Sequence, residues 1–194
     1  MIYKMIEQLT FLEEGNFTKR DDVIKRLADR LIYSNSNILE SISDYIRKEL
    51  MYDPTKKSEI FRQRTASEII KSCSVTGCTD VGLTFIAISR ELGIPTKYVE
   101  TFEDKWLLNT TEMISGHIFV DVRINDLWHA YEPLNGFTKD NMYITRFGKF
   151  VEVGKGLDFS ELYLKYNDGY STESVCLQSL SQMRKLVASL NYQK

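Results

Sequence analysis

Histidine is the scarcest reactive residue in this chain: there are two, His117 and His129, among 194 residues. Proline and cysteine number three each. With so few prolines, no low-complexity tract, no internal repeat and no stretch of linker composition, the chain reads as one domain over residues 1–194. The three cysteines, Cys73, Cys78 and Cys176, cannot all pair within one chain. The apolar N-terminal stretch MIYKMIEQLTFLEEGNF carries acids and no small-residue cleavage site, so it reads as structural and not as a signal peptide. Free thiols in a reducing, cytoplasmic compartment follow as the simplest expectation.

Other absences exclude whole function classes. No run approaches the roughly 18 apolar residues that a membrane-spanning helix needs. Charge of neither sign dominates: 25 basic and 27 acidic residues leave a formal net charge of −2. That balance predicts no pull toward nucleic acid or an anionic membrane. The tyrosines and phenylalanines do not interleave with basic residues as they do in single-strand readers. Neither a CxxC nor an HxH motif is present, so neither metal nor cofactor is expected. What is present is ordinary for a globular domain, with 43% hydrophobic and 27% charged residues and length enough for a sizeable core.

Apolar spacing near the helical period predicts helices over 18–33 and 36–50, the second capped by Ser36 or Asn37. Residues 65–72 open with a capping-box pattern, Thr65 followed by Glu68. Residues 80–93 are mostly apolar and read as a largely buried helix, stopped by Gly93 and barred from continuing by Pro95. The pattern then changes to strands: an alternating segment over 96–102, then 116–124 and 127–133 joined by Asn125-Asp126, and more strand within 143–153. Helix returns near 158–166 and over 172–190. Helices, then a strand meander, then helices predict an α+β fold with an antiparallel sheet.

Cys78 lies in the turn TGCTD, just before the buried helix. A helix N-terminus favours a thiolate, and its free N–H groups can help to stabilise an oxyanion. Asp80 suits the helix dipole but opposes a thiolate if it points inward. The hairpin selects a partner. With Asn125-Asp126 as a two-residue turn, Ile124 faces Leu127, Arg123 faces Trp128 and Phe119 faces Glu132. His117, Phe119, Asp121, Ala130 and Glu132 then share one side, and Val120, Val122, His129 and Tyr131 the other. His117 and Glu132 become diagonal neighbours about 7–8 Å apart at the backbone, a gap that their side chains can span. Asp121, about 13 Å along the strand from His117, is out of reach. His129 points away from Glu132. A loop one residue longer would undo this selection.

At these residues the sequence resembles the transglutaminase-like superfamily, whose fold is related to that of papain-type cysteine peptidases. TGCTDVGLTFIAISRELGIPTKYVE matches its Gly-Cys turn, apolar helix and Gly-Ile-Pro end, GHIFVDVRI its His-led strand, and WHAYEPLNG its Trp-x-x-x-Asp-Pro. The likeness covers residues 60–136 in order and spacing, with helical extensions on both sides. It implies Cys78 as nucleophile, His117 as general base and acid, and Glu132 in the third role. Aspartate is usual there; glutamate is one methylene longer and can still hold a histidine.

The implied function is cysteine-dependent hydrolysis of a peptide or amide bond in a peptide or protein substrate, through a thioester. Two alternatives stand beside it: a degenerate, peptide-binding or scaffolding domain, and a crosslinking transglutaminase in which an amine replaces water. Gly77, Gly116 and Trp106 are the candidate substrate-binding residues, Trp106 because it sits in a long connection before the His strand. Each catalytic candidate also has a structural reading: Cys78 as a buried thiol, His117 as a satisfied strand histidine, Glu132 as a solvated strand-end acid. Trp128 reads as core. A zinc set of Cys73, Cys78, His117 and His129 lacks close-paired spacing and has its histidines on opposite faces.

Overall fold

The computed structural model describes residues 7, 9–33, 37–104, 116–145 and 148–163. Trp106, Cys176 and the helix expected over 172–190 lie outside the described residues.

Helix α1 (Asp22–Ile32) starts where Asp21 accepts hydrogen bonds from the Val23 and Ile24 amides. It buries Ile24, Leu27, Ala28 and Leu31, one face of the 3.6-residue repeat. Helix α2 (Ile38–Glu49) is capped by Asn37 and buries Leu39, Ile42, Tyr45 and Ile46. The two-residue strand β1 (Met51–Tyr52) and the short helix α3 (Lys57–Ile60) follow. Helix α4 (Ala66–Ser72) opens with the capping box of Thr65 and Glu68 and ends at Cys73 in the left-handed conformation. β1 pairs in parallel with β2 (Ser74–Val75), a short ladder that the sequence pattern does not announce.

Helix α5 (Cys78–Glu91) is the centre of the fold and is buried all round from Thr79 to Arg90. The helices α1, α2 and α4 pack against it, and so do strands β3 (Thr96–Glu103) and β4 (Gly116–Ile124). Strands β5 (Leu127–Glu132), β6 (Gly136–Phe137), β7 (Ile144–Thr145) and β8 (Gly148–Gly156) complete an antiparallel sheet, and α6 (Phe159–Tyr163) follows. Among the described residues the sheet has six strands in the order β6-β5-β4-β3-β8-β7.

The architecture is α+β, with a helical layer on a curled antiparallel sheet. No described helix is long and apolar enough to cross a membrane. β3 departs from the expected alternation, since every residue from Thr96 to Phe102 is buried. Helix α5 covers one face, and a cluster of Val99, Phe119 and Phe150 closes the other. The two buried charged residues on β3 are accommodated by partners: Lys97 pairs with Glu7 at 2.6 Å, and Glu100 pairs with Arg62.

The β4–β5 hairpin has the expected register. Ile124 opposes Leu127, Arg123 opposes Trp128 and Val120 opposes Tyr131. Asn125 and Asp126 both have positive φ, 49° and 63°, the backbone of the tight turn that suits a twisted two-residue hairpin.

Candidate active site

The turn before α5 is held by Asp80. Its Oδ2 accepts hydrogen bonds from the Thr76 amide and the Thr76 hydroxyl, both at 2.8 Å, and pairs with Arg64 at 2.5 Å. The carboxylate is therefore neutralised and turned into the loop, away from the role of a charge opposing the thiol. Gly77 is the N-cap, and no side chain caps the first amides of the helix. Cys78 is the first residue of α5, a half-buried free thiol.

The approach of α5 to β4 decides what Cys78 meets. Gly82 lies one turn after Cys78 on the same helical face. A Cβ there would stand 2.7 Å from Ile118 Cγ2, so glycine lets the helix lie against β4. The Ile118 amide and the His117 side chain are polar groups that act on the Cys78 thiol.

His117 Nε2 lies 3.1 Å from Glu132 Oε1. This is the diagonal contact that the hairpin register predicts. With Nε2 engaged, Nδ1 is the ring nitrogen left for the sulfur. The ring is packed edge-on against Phe119 and tilted against Phe150 at centroid distances of 5.0 and 5.7 Å, which fixes its plane. Glu132 is buried, 4% exposed, which removes the reading as a solvated acid. Its other oxygen accepts from the Leu134 amide at 3.1 Å and from the Asn135 side chain.

The charges follow from these contacts. Burial works against a thiolate at Cys78, but hydrogen bonds from His117 and the Ile118 amide, with the positive charges of His117 and Arg62, outweigh it and lower the thiol pKa. Burial likewise works against an imidazolium, yet the hydrogen bonds to Cys78 and Glu132 prevail, and the His117 pKa is pushed up to about 9. The two shifts favour a thiolate–imidazolium pair. Arg62 lies in a left-handed turn, φ 58°, over the ring of Phe159.

Cys78, His117 and Glu132 line one groove of about 630 Å³ with Gly77, Lys57 and a wall of Ile46, Leu50, Val75, Val81 and Leu134. Gly116 begins β4 opposite Phe102, beside His117 but not among the groove-lining residues. Trp106 lies outside the described residues. His129 is on the opposite face, packed edge-on to Phe137. Trp128 packs on Phe11 and under the Lys97 ammonium, a structural position. Cys73 is exposed at the end of α4 and outside the groove lining. Among the described residues, no group of three or more His, Cys, Asp or Glu is arranged to hold a metal ion.

The family model of the transglutaminase-like superfamily matches residues 25–133. The chain belongs to this superfamily. The transglutaminase-like match takes in Cys78, His117 and Glu132 and reaches back through α2 into α1. A comparison with curated proteins finds no match. Among solved structures, the chain is similar to a proposed cysteine protease from Cytophaga hutchinsonii, with 18% identity and a TM-score of 0.59. That likeness covers 80% of this chain but 48% of the other, so this chain spans about half of the longer protein. At such identity the likeness speaks for the fold, a cysteine-protease-like frame.

Several supporting residues escaped the sequence reading. Gly82 carried a signal, since an isolated glycine within an apolar helix suggests close packing. Leu134 and Asn135 stand in a polar turn after Glu132, but nothing in the order of residues ties them to its second oxygen. Arg62 and the Ile118 amide carried no periodic signal.

Proposed function

We propose that this chain is a cysteine-dependent acyl-transfer enzyme that hydrolyses a peptide or amide bond through a thioester. Cys78 is the nucleophile, His117 the general base and acid, and Glu132 the group that orients the imidazole. The observation that carries the reading is the convergence of the three side chains in one groove, with the thiol pKa lowered and the imidazole pKa raised.

The Cys78 thiolate attacks the substrate carbonyl carbon, and a carbon–sulfur bond forms as the carbonyl π electrons move to oxygen. The uncapped amides at the start of α5, that of Cys78 foremost, are suited to receive the oxyanion. Collapse breaks the carbon–nitrogen bond, and the His117 imidazolium gives its proton to the departing amine. Neutral His117 then takes a proton from water, whose oxygen attacks the thioester. The second collapse expels the thiolate, releases the carboxylic acid product and leaves the ion pair restored. Glu132 accepts from Nε2 throughout and keeps Nδ1 directed at the sulfur.

The test is turnover of chromogenic peptide amides and thioesters by the wild type and by Cys78→Ser. Hydrolysis should be lost in the variant, and unchanged hydrolysis overturns the reading. An acyl-enzyme that forms on Cys78 and resolves with an added amine but not with water would replace hydrolysis by transamidation.

A further inference from the structure

The groove holds three charged side chains besides His117: Arg47, Lys57 and Glu132. Two of them are already engaged. Glu132 has both oxygens hydrogen-bonded. The Arg47 guanidinium binds Glu40, Asp44 and the Leu134 carbonyl. Lys57 is different. It is exposed, and its ammonium rests over the ring of Phe61 at 5.5 Å, with no ion pair among the described residues.

Lys57 is also close to the reacting centre. Its Nζ lies 3.9 Å from the point that a Cβ on Gly77 would occupy, and Gly77 directly precedes Cys78. No side chain at Gly77 separates the ammonium from the nucleophile's end of the groove. The wall beyond is apolar, built by Ile46, Leu50, Val75 and Val81. A cation beside an apolar wall, at the Gly77–Cys78 end of the groove, fits a substrate that offers a carboxylate and an apolar side chain side by side.

We propose that Lys57 makes the site selective for acyl substrates that carry a carboxylate within a residue or two of the scissile bond, flanked by an apolar residue. The inference rests on the acyl-transfer reading and names its substrate class. The carboxylate has two sources, an aspartate or glutamate side chain or a free chain end.

The experiment compares kcat/KM for peptide pairs that differ only by glutamate against glutamine on either side of the scissile bond, each made with a free and an amidated C-terminus. Carboxylate substrates should lead by about fivefold, about 1 kcal/mol, with the lead shrinking as salt rises. Lys57→Arg should keep the preference, Lys57→Met should reduce the ratio to about one, and Lys57→Glu should reverse it. A lead carried by the glutamate peptides supports a side-chain carboxylate, and one carried by the free chain ends supports a terminal carboxylate. Equal kcat/KM within every pair, in an enzyme whose turnover requires Cys78, overturns the role of Lys57 and leaves acyl transfer standing. So does a preference that survives in Lys57→Met. Absence of Cys78-dependent turnover on all peptides overturns the acyl-transfer reading, and the proposal with it.

Discussion

Gly82 and Ile118 approach so closely that a Cβ on Gly82 would stand 2.7 Å from Ile118 Cγ2. Cys78 lies one helical turn earlier on the same face, and the Ile118 amide favours its thiolate. The contact therefore sets the distance between Cys78 and the strand that carries His117. Gly82→Ala gains helix propensity of about 1 kcal/mol but overpacks the interface at about 1–3 kcal/mol. The variant should fold with a lowered Tm. Its larger loss should be local, with slower alkylation of Cys78 by iodoacetamide at neutral pH than in the wild type. Unchanged alkylation would mean that the helix tolerates the methyl without moving.

The ion pair has a pH signature. In the wild type, Cys78 should alkylate well below pH 8.5, about the value for a free cysteine. His117→Ala should move the alkylation midpoint up toward that value, because the variant loses the hydrogen bond and the charge that hold the thiol down. Proton donation to a leaving amine should fade as pH rises through about 9, the value for His117. The same shift bears on stability. A histidine held above its ordinary value of about 6.5 contributes stability that is fully present below 6.5 and is lost as pH rises through its folded value. The lowered thiol acts in the opposite sense, stabilising above its ordinary value and losing that contribution as pH falls through the folded one. Alkylation profiles that coincide in the two proteins would deny the pair.

The hairpin was legible because its logic is local. A two-residue turn fixes the register, the register fixes the faces, and the faces leave Glu132 as the acid within reach of His117. The capping box at Thr65 and the buried helix after Cys78 were legible for the same reason. The burial of β3 was not, since the residues that close its second face, Phe119 and Phe150, come from strands later in the chain. Arg62 was missed because an irregular turn, and no periodic pattern, brings it near the thiol. The second oxygen of Glu132 finds its partners only once the turn after β5 has folded.

Glu132 offers a graded test of the third role. Glu132→Gln keeps the size but loses the charge that supports an imidazolium, and it places an amide against Nε2. A loss of kcat of up to about 10⁴-fold is expected, on the scale seen when the third member of a triad is neutralised. Glu132→Asp keeps the charge and draws it back by one methylene, so it should retain more activity than the Gln variant. Asn135→Ala removes one partner of the second oxygen, and should lower kcat less than either. The His117 titration, followed by NMR, should fall in the same order. An Asp variant less active than the Gln variant would show that reach, and not charge, governs the contact.

Arg90 tests whether the far end of α5 is separate from the chemistry. It is buried, and its guanidinium donates to the Thr96 carbonyl, the Leu157 carbonyl and the Thr18 hydroxyl. It thereby ties the end of the central helix to the start of β3, the segment after β8 and the N-terminal loop. Arg90→Met fills similar space but takes the donor from the Thr96 and Leu157 carbonyls, at about 1–3 kcal/mol for each that water does not reach, while Thr18 Oγ1 keeps the Gly15 amide. Urea unfolding should therefore show a loss of about 3 kcal/mol or more. Arg90→Lys can satisfy part of the set and should lose less. Twelve residues of helix, about 18 Å, separate Arg90 from Cys78. In the fraction that remains folded, the pH midpoint of Cys78 alkylation should match the wild type. A shifted midpoint would mean that the rigidity of α5, set at its C-terminal end, is transmitted to the thiol.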